Sequence, residues 1–344
     1  MMTTGVGYET DPLVTVMMPI RNEADFIEKS LGAVLAQDYP PDLLQVIVAD
    51  GMSTDATRDI IASLQVDYPY LELVDNPGLI VSTGLNAALR VARGEVIVRV
   101  DGHTVIARDY VRRCVDELRS SGADNVGGLM VGIGEKPFAR AVVLATSSPF
   151  GVGGAHFHYS TERRLVDTVY MGAWKRDVFA RIGFFDEELV RNQDDELNYR
   201  LAEHGGSILL SPEIKSLYVV RSTPRALASQ YFQYGYWKVR VMQKHPRRMR
   251  PHHFVPAVFV TALLILGPLA LVSRTGRRLL SAFLTTYVLG IGAAVAHRAL
   301  SDEWPGQDVL LRMPFAFSIL HVAYGAGFLN GLAKFGYREK PSGA

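Results

Sequence analysis

The run Arg191 to Leu201, RNQDDELNYRL, sets three carboxylates side by side, at Asp194, Asp195 and Glu196. Three chemistries use such a cluster. Acids in the first turn of a helix complement the positive end of its dipole. Carboxylate oxygens also hold hard cations, and a single carboxylate on a rigid element serves as a general base. Leu197 and Leu201 predict the start of an amphipathic helix, so the cap is the default for this stretch taken alone. Two further aspartates stand out by position: Asp50 closes QVIVAD and Asp101 closes EVIVRVD. His156 and His158 lie two apart in SSPFGVGGAHFHYS, but no third and fourth ligands follow at the spacing of a zinc site.

The elements around these residues alternate. LVTVMMPI (Leu13 to Ile20), QVIVAD (Gln45 to Asp50), Leu71 to Val74 and EVIVRVD (Glu95 to Asp101) are short and apolar, and predict strands. Helical spacing over Ala24 to Ala36, Thr54 to Leu64 and Val81 to Ala92 separates them. This order implies an α/β fold, a mostly parallel sheet flanked by helices on both faces. Such sheets bind ligands beyond the carboxyl ends of their strands, where Asp50 and Asp101 both fall. The first strand runs into Pro19-Ile20-Arg21-Asn22-Glu23 where a dinucleotide fold needs Gly-x-Gly-x-x-Gly, which argues against a dehydrogenase. Ser53, Thr54 and Asp55 read as caps of the second helix. Gly151-Val152-Gly153-Gly154 reads as a flexible loop.

With a net charge of +1 over 344 residues, bulk electrostatics argue neither for nor against a nucleic-acid partner; no nucleic acid is expected among the partners. The lone Cys114 rules out an internal disulfide framework and fits a reducing compartment. MMTTGVGYETDP lacks the basic and apolar regions of a signal peptide. Apolar residues crowd the C-terminal part. Phe254 to Ser273 is uncharged over about 20 residues, enough at about 1.5 Å each to cross a hydrocarbon core. Leu279 to Ala296 and Phe315 to Ala333 are shorter or weaker candidates, giving two to three hydrophobic helices. The preceding WKVRVMQKHPRRMRPHH carries Lys238, Arg240, Lys244, Arg247, Arg248 and Arg250 with no acid, marking the cytoplasmic side of the plasma (inner) membrane. Arg274, Arg277 and Arg278 make the next loop basic too, which a re-entrant or shallow helical hairpin would accommodate.

PIRNE (Pro19 to Glu23), ADGMSTDAT (Ala49 to Thr57), STGLNAAL (Ser82 to Leu89), VDGH (Val100 to His103) and QDDELNYRL occur in this order. Together they resemble glycosyltransferase family 2, of GT-A type, over roughly residues 12 to 240. YMGAWKRDVFARIGFFDEEL (Tyr170 to Leu189) and QYFQYGYWK (Gln230 to Lys238) are similar to the succinoglycan-biosynthesis, ExoA-like group. The resemblance implies nucleotide-sugar contacts at Pro19, Asn22, Glu23, Asp50, Gly51, Asn86 and Asp101. Carboxylates suit this because base N–H groups and ribose hydroxyls are donors. It also implies a divalent cation, Mn or Mg, on the donor diphosphate, with Asp101 at the first position of the family's Asp-x-Asp motif. His103 replaces its last aspartate; imidazole suits Mn²⁺ better than Mg²⁺, or pairs with the diphosphate as a cation. Asp194 matches the catalytic aspartate of the Glu-Asp motif, with Gln193 in place of the glutamate. Gln233 and Trp237 fall on the Gln-x-x-Arg-Trp motif of processive members, with Tyr236 where they have arginine, and Trp174 joins them as a candidate acceptor contact. Trp237 beside the basic run also fits an interfacial anchor. The SSPFGVGGAHFHYS loop is a candidate acceptor lid.

The resulting division is a polar tail (1–11), a GT-A-type domain (12–240), a basic juxtamembrane segment (241–253), a membrane-associated helical region (254–335) and a polar tail (336–344). The expected activity is inverting transfer of a sugar from a nucleotide donor to a polyprenyl-linked glycan in cell-surface polysaccharide or glycolipid synthesis. A processive polysaccharide synthase and an inactive membrane scaffold are the alternatives, the latter suggested by His103 and Gln193.

Overall fold

The computed structural model describes residues 11–301 and 304–336, so the two polar tails, apart from Asp11 and Gly336, lie outside the described residues. Two compact units emerge: Met1–Val131 with Tyr159–Val219, and Gly132–His158 with Val220–Ala344. The boundary expected at residue 240 lies inside the second unit.

The first unit begins β1 (Val14–Ile20), α1 (Ile27–Leu35), β2 (Leu44–Asp50), α2 (Thr57–Gln65), β3 (Leu71–Asp75), α3 (Val81–Val91), β4 (Val96–Arg99), β5 (Thr104–Ile106) and α4 (Tyr110–Ser121). β6 (Asn125–Ile133) carries the chain into the second unit, where α5 (Pro137–Thr146) and α6 (Pro149–Val152) form. The first unit then closes with β7 (Arg164–Leu165), β8 (Tyr170–Lys175), α7 (Asp177–Ile182), α8 (Gln193–Glu203) and β9 (Ile208–Val219).

Among the described residues one sheet runs β3-β2-β1-β4-β8-β6-β9-β5, with β7 on β9. Its first four strands are parallel, as expected. Beyond β4 the sheet turns antiparallel: β8 pairs antiparallel with β4 and β6, and β9 with β5 and β7. The sheet is therefore mixed, not mostly parallel. Every residue of β1, β2 and β4 is buried, which is why these strands read as continuous apolar runs without alternation. On one face, Ile27, Leu31 and Val34 of α1 and Val111, Cys114 and Leu118 of α4 pack over Val16, Met18, Val46 and Val98. Those helical positions recur at three to four residues, the period of an amphipathic stripe.

The second unit adds α9 (Pro224–Lys244), α10 (Val255–Val272), α11 (Arg274–Ala299), α12 (Gln307–Leu310) and α13 (Met313–Phe335). Helices α9 and α13 approach backbone to backbone. A Cβ on Gly235 or on Gly327 would fall 2.0 Å from the Tyr324 or Phe232 carbonyl oxygen, so both positions exclude any side chain. Segments Val255–Val272, Arg274–Ala299 and Gln307–Phe335 are each long and apolar enough to cross a membrane, and only the last is substantially covered, 39 % against 11 % and 6 %. Contrary to the loop expected from composition, Gly151 and Val152 lie in α6, whose Ser148 hydroxyl caps the Gly151 N–H. Gly151 sits there because a Cβ would fall 2.0 Å from the Ala145 carbonyl oxygen.

Candidate active site

Parallel register aligns the ends of β1, β2 and β4. Ile20 lies opposite Asp50, and Met17 opposite Arg99, so the loops that follow share one edge of the sheet. Pro19 is tolerated in this central strand because the β1–β4 pairing stops at Met17. Asn22 adopts φ 52°, the left-handed region that asparagine enters more readily than most residues. It ties the β1 loop to the β2 loop: its N–H donates to Ser53 Oγ (2.8 Å), and its Oδ1 accepts from the Thr54 N–H (2.8 Å). Asp55 does the capping work expected of this stretch, accepting from the Thr57 N–H and hydroxyl and from the Ala24 N–H. Ser53 instead donates to Asp50. Gly51 is tightly enclosed, since a Cβ would lie 3.1 Å from the Leu79 carbonyl oxygen and 3.2 Å from that of Ile20.

The centre of the site is a pair of acids bridged by one arginine, which no single stretch of sequence contains. Arg99, 3 % exposed at the end of β4, donates from Nε to Asp101 Oδ1 (2.8 Å) and from Nη1 to Asp194 Oδ1. Burial alone would weaken the guanidinium's hold on its proton, yet Asp101 and Asp194 raise its pKa and leave it a fixed cation. Asp101 also accepts from the Tyr170 hydroxyl (3.3 Å), which itself bonds Thr104 Oγ1 (2.7 Å). Burial pushes the Asp101 carboxyl up, but Arg99, His103 and the hydrogen bonds outweigh it and hold the group below the usual carboxylate range. For Asp194 the balance falls the other way. Burial raises it to about 7 against the pull of Arg99, and Asp101 and Asp195 add to the rise. Its side chain keeps 23 % exposure, enough for a hydroxyl to reach it. His103 turns Nδ1 toward Glu23 Oε1 (3.4 Å), with its ring edge-on to Tyr218.

Helix α8, which presents Asp194 in its first turn, is anchored on two sides. Glu196 is a buried partner and more than a helix-start acid: Arg200 grips both its oxygens (2.8 and 2.7 Å) and donates to the Ile182 and Phe184 carbonyls. Asn198 accepts from Asn125 Nδ2 (2.8 Å) on β6 and donates to Thr168 Oγ1 (2.9 Å). Asp195 remains a first-turn acid.

Several expected contacts are engaged elsewhere. The Asp50 carboxyl is fully buried and taken up by Ser53 and by Arg58, which bridges it (2.7 Å) to the exposed Asp75 (2.9 Å). Asn86 is buried, its amide bonded to both backbone groups of Phe185 and to Glu187. Trp174 does not reach an acceptor: it is 0 % exposed, packed edge-on against Phe179 and Phe185. Gln233 and Trp237 stand on α9 in the second unit, where the Trp237 ring meets Phe335. His156 and His158 also belong there, and burial lowers His158 to about 4. Among the described residues no three His, Cys, Asp or Glu side chains converge as a metal cage. Asp101 and His103 alone suit an ion whose remaining ligands are phosphate oxygens. The sequence motifs assign no site role to Arg99 or Tyr170, though an arginine inside the apolar run VIVRV is itself a signal of a buried, paired charge.

Parallel strand ends, a first-turn carboxyl at Asp194 and the Asp101 carboxylate paired to the same arginine accompany a fold of GT-A type. Residues 15–183 match the family model described as Glycosyl transferase family 2, and the chain belongs to that family. It is 29 % identical over 327 residues, 93 % of this chain and 95 % of the relative, to the succinoglycan biosynthesis protein ExoA of Rhizobium meliloti. A second relative, 26 % identical over 67 % of this chain and 74 % of its own length, is a dolichyl N-acetyl-alpha-D-glucosaminyl phosphate 3-beta-D-2,3-diacetamido-2,3-dideoxy-beta-D-glucuronosyltransferase of Methanococcus voltae. The fold matches the mannosyltransferase PcManGT of Pyrobaculum calidifontis, solved with GDP-Man and Mn²⁺, at TM-score 0.65 and 22 % identity over 95 % of this chain and 88 % of that one. The inactive-scaffold alternative gives way to an enzyme, a glycosyltransferase.

Proposed function

We propose that this glycosyltransferase is attached to the cytoplasmic face of the plasma membrane and transfers one sugar, with inversion, from a nucleotide-sugar donor to a lipid-linked glycan acceptor. The observation that carries this reading is Asp194: a carboxyl raised to about 7, on the first turn of an anchored helix, tied through Arg99 to the strand-end Asp101. Oδ1 is held by Arg99, leaving Oδ2 to take the proton of the acceptor hydroxyl. The freed oxygen attacks the anomeric carbon opposite the diphosphate, the bond to the diphosphate oxygen breaks, and the nucleoside diphosphate leaves. Asp101 and His103 would hold a divalent ion, which would neutralise charge on the departing diphosphate. Glu23, facing His103 Nδ1, would leave Nε2 for that ion. This donor set favours Mn²⁺, the ion in the PcManGT crystal.

The relatives' names supply the setting: one acts in succinoglycan biosynthesis, the other on a dolichyl phosphate-linked sugar. The apolar helices supply the reason for a lipid-linked acceptor, because confinement to one bilayer raises effective concentration. Tyr236, in place of the arginine of processive members, packs on Phe335 and favours a single transfer. The test is a panel of UDP- and GDP-sugars with membrane extract as acceptor. Wild type releases nucleoside diphosphate and adds one residue; Asp194→Asn binds donor normally but turns over about 10²- to 10⁴-fold more slowly. A polymer ladder, or an unimpaired Asp194→Asn, would sink the reading.

A further inference from the structure

We propose that Arg99 is a positioning residue for the transfer: its guanidinium fork holds the Asp194 carboxylate in its working orientation and registers it to Asp101 on the donor side. The inference rests on the reading of Asp194 as the base. Arg99 stands in β4 between Val98 and Val100, both 0 % exposed, an expensive place for a charge unless it is fully paired. Arg99 has two partners, 95 and 2 residues away, and they are the two acids on which transfer depends. Nε and Nη1 lie in one rigid plane, so their two bonds fix the spacing and tilt of one carboxylate relative to the other.

The acid beyond each bond is braced in turn. Tyr170 and Thr104 hold Asp101, and the Arg200–Glu196 and Asn198–Asn125 contacts hold the helix that carries Asp194. The Asp101 N–H also meets Met171 Sδ (3.4 Å), where β8 bends through consecutive positive φ angles at Met171 and Gly172. The guanidinium is ion-paired with both of these braced halves. In-line displacement is sensitive to such registration, since small misplacements of a base cost rate without costing binding.

The test compares wild type, Arg99→Lys, Arg99→Met, Asp194→Asn and the Arg99→Met/Asp194→Asn double variant as full chains. Each is assayed with the UDP- and GDP-sugar panel and Mn²⁺, alongside thermal melting and binding of UDP and GDP. Lysine keeps the charge but lacks the fork. Arg99→Lys is expected to lose about 10- to 100-fold in kcat while donor KM moves less than about threefold. Arg99→Met, poorer still, adds nothing further once Asp194 is Asn. Wild-type kcat in Arg99→Lys overturns the proposal. So do losses that multiply in the double variant, or a change confined to KM. If Arg99→Met does not fold, the kcat-against-KM split in the folded Arg99→Lys decides. Full turnover in Asp194→Asn removes the base reading itself, a result separate from every outcome at Arg99.

Discussion

At the scale of single residues, the proposed transfer rests on opposite outcomes for two carboxyls that share one arginine. Asp101 stays ionised because Arg99, His103 and Tyr170 outweigh its burial; Asp194, with Asp101 and Asp195 against it, rises to about 7. The activity consequence has a definite sign. A base must be deprotonated, so kcat/KM should fall about tenfold per pH unit below about 7 and level off above it. The stability consequence is opposite. A carboxyl whose folded pKa is raised stabilises the protein at pH below its unfolded value, and that stabilisation is lost as pH rises through about 7. Asp194→Asn should therefore melt no lower than wild type on the alkaline side of that window while losing turnover, which pH-dependent melting will check. At His103 the exchange to Asp restores an all-oxygen donor pair and should raise activity with Mg²⁺ relative to Mn²⁺, measured as the ratio of the two rates.

Helix α8 shows how elements turn a first-turn acid into a tool. Its sequence alone satisfies the dipole reading, since Asp194, Asp195 and Glu196 all fall in the first turn. What separates the three is what each packs against. Glu196, 5 % exposed, belongs to Arg200 and through it to the loop at Ile182 and Phe184. Removing one member of a buried pair strands the other, at about 3 kcal/mol or more. Glu196→Gln should lower the melting temperature by several degrees and reduce kcat. An unchanged melting curve would mean that the helix is held by Asn198 and its apolar face instead. Sheet order acts at the same scale. Because β8 pairs antiparallel with β4, Trp174 lies opposite Ile97 deep in the sheet, and the expected acceptor contact becomes core.

At the scale of the whole molecule, each unit follows its own packing rule. The first buries apolar strands beneath amphipathic helices. The second brings α9 and α13 together through Gly235 and Gly327 and leaves α10 and α11 apolar and largely uncovered. Arg274, Arg277 and Arg278, expected in a loop, lie in the first turns of α11, next to its junction with α10, and favour a cytoplasmic junction under the positive-inside tendency. Burial pushes the Cys114 thiol up and leaves it unreactive, so an introduced cysteine reports alone. Thr275→Cys, at an exposed position in the first turn of α11, should resist a membrane-impermeant maleimide added to intact cells and react after lysis. Labelling from outside would establish full spans.

Local patterns reach far in this chain. Apolar runs and helical spacing are enough to place β1, β2, β3, β4 and the helices between them, and Asp50 and Asp101 at or just past their strand ends. Uninterrupted apolar length identifies α10, α11 and α13, because a bilayer selects for length and composition alone. The antiparallel half of the sheet, the enclosure of Asp50, Asn86 and Trp174, and the bond from Arg99 to a carboxylate 95 residues away came only with the tertiary structure. The physical reason is that periodicity reports whether a side chain is buried, whereas pairing of charges depends on which strands become neighbours. That order is set by long-range packing, and it is what turned Asp194 from one acid among three into the residue that faces Arg99.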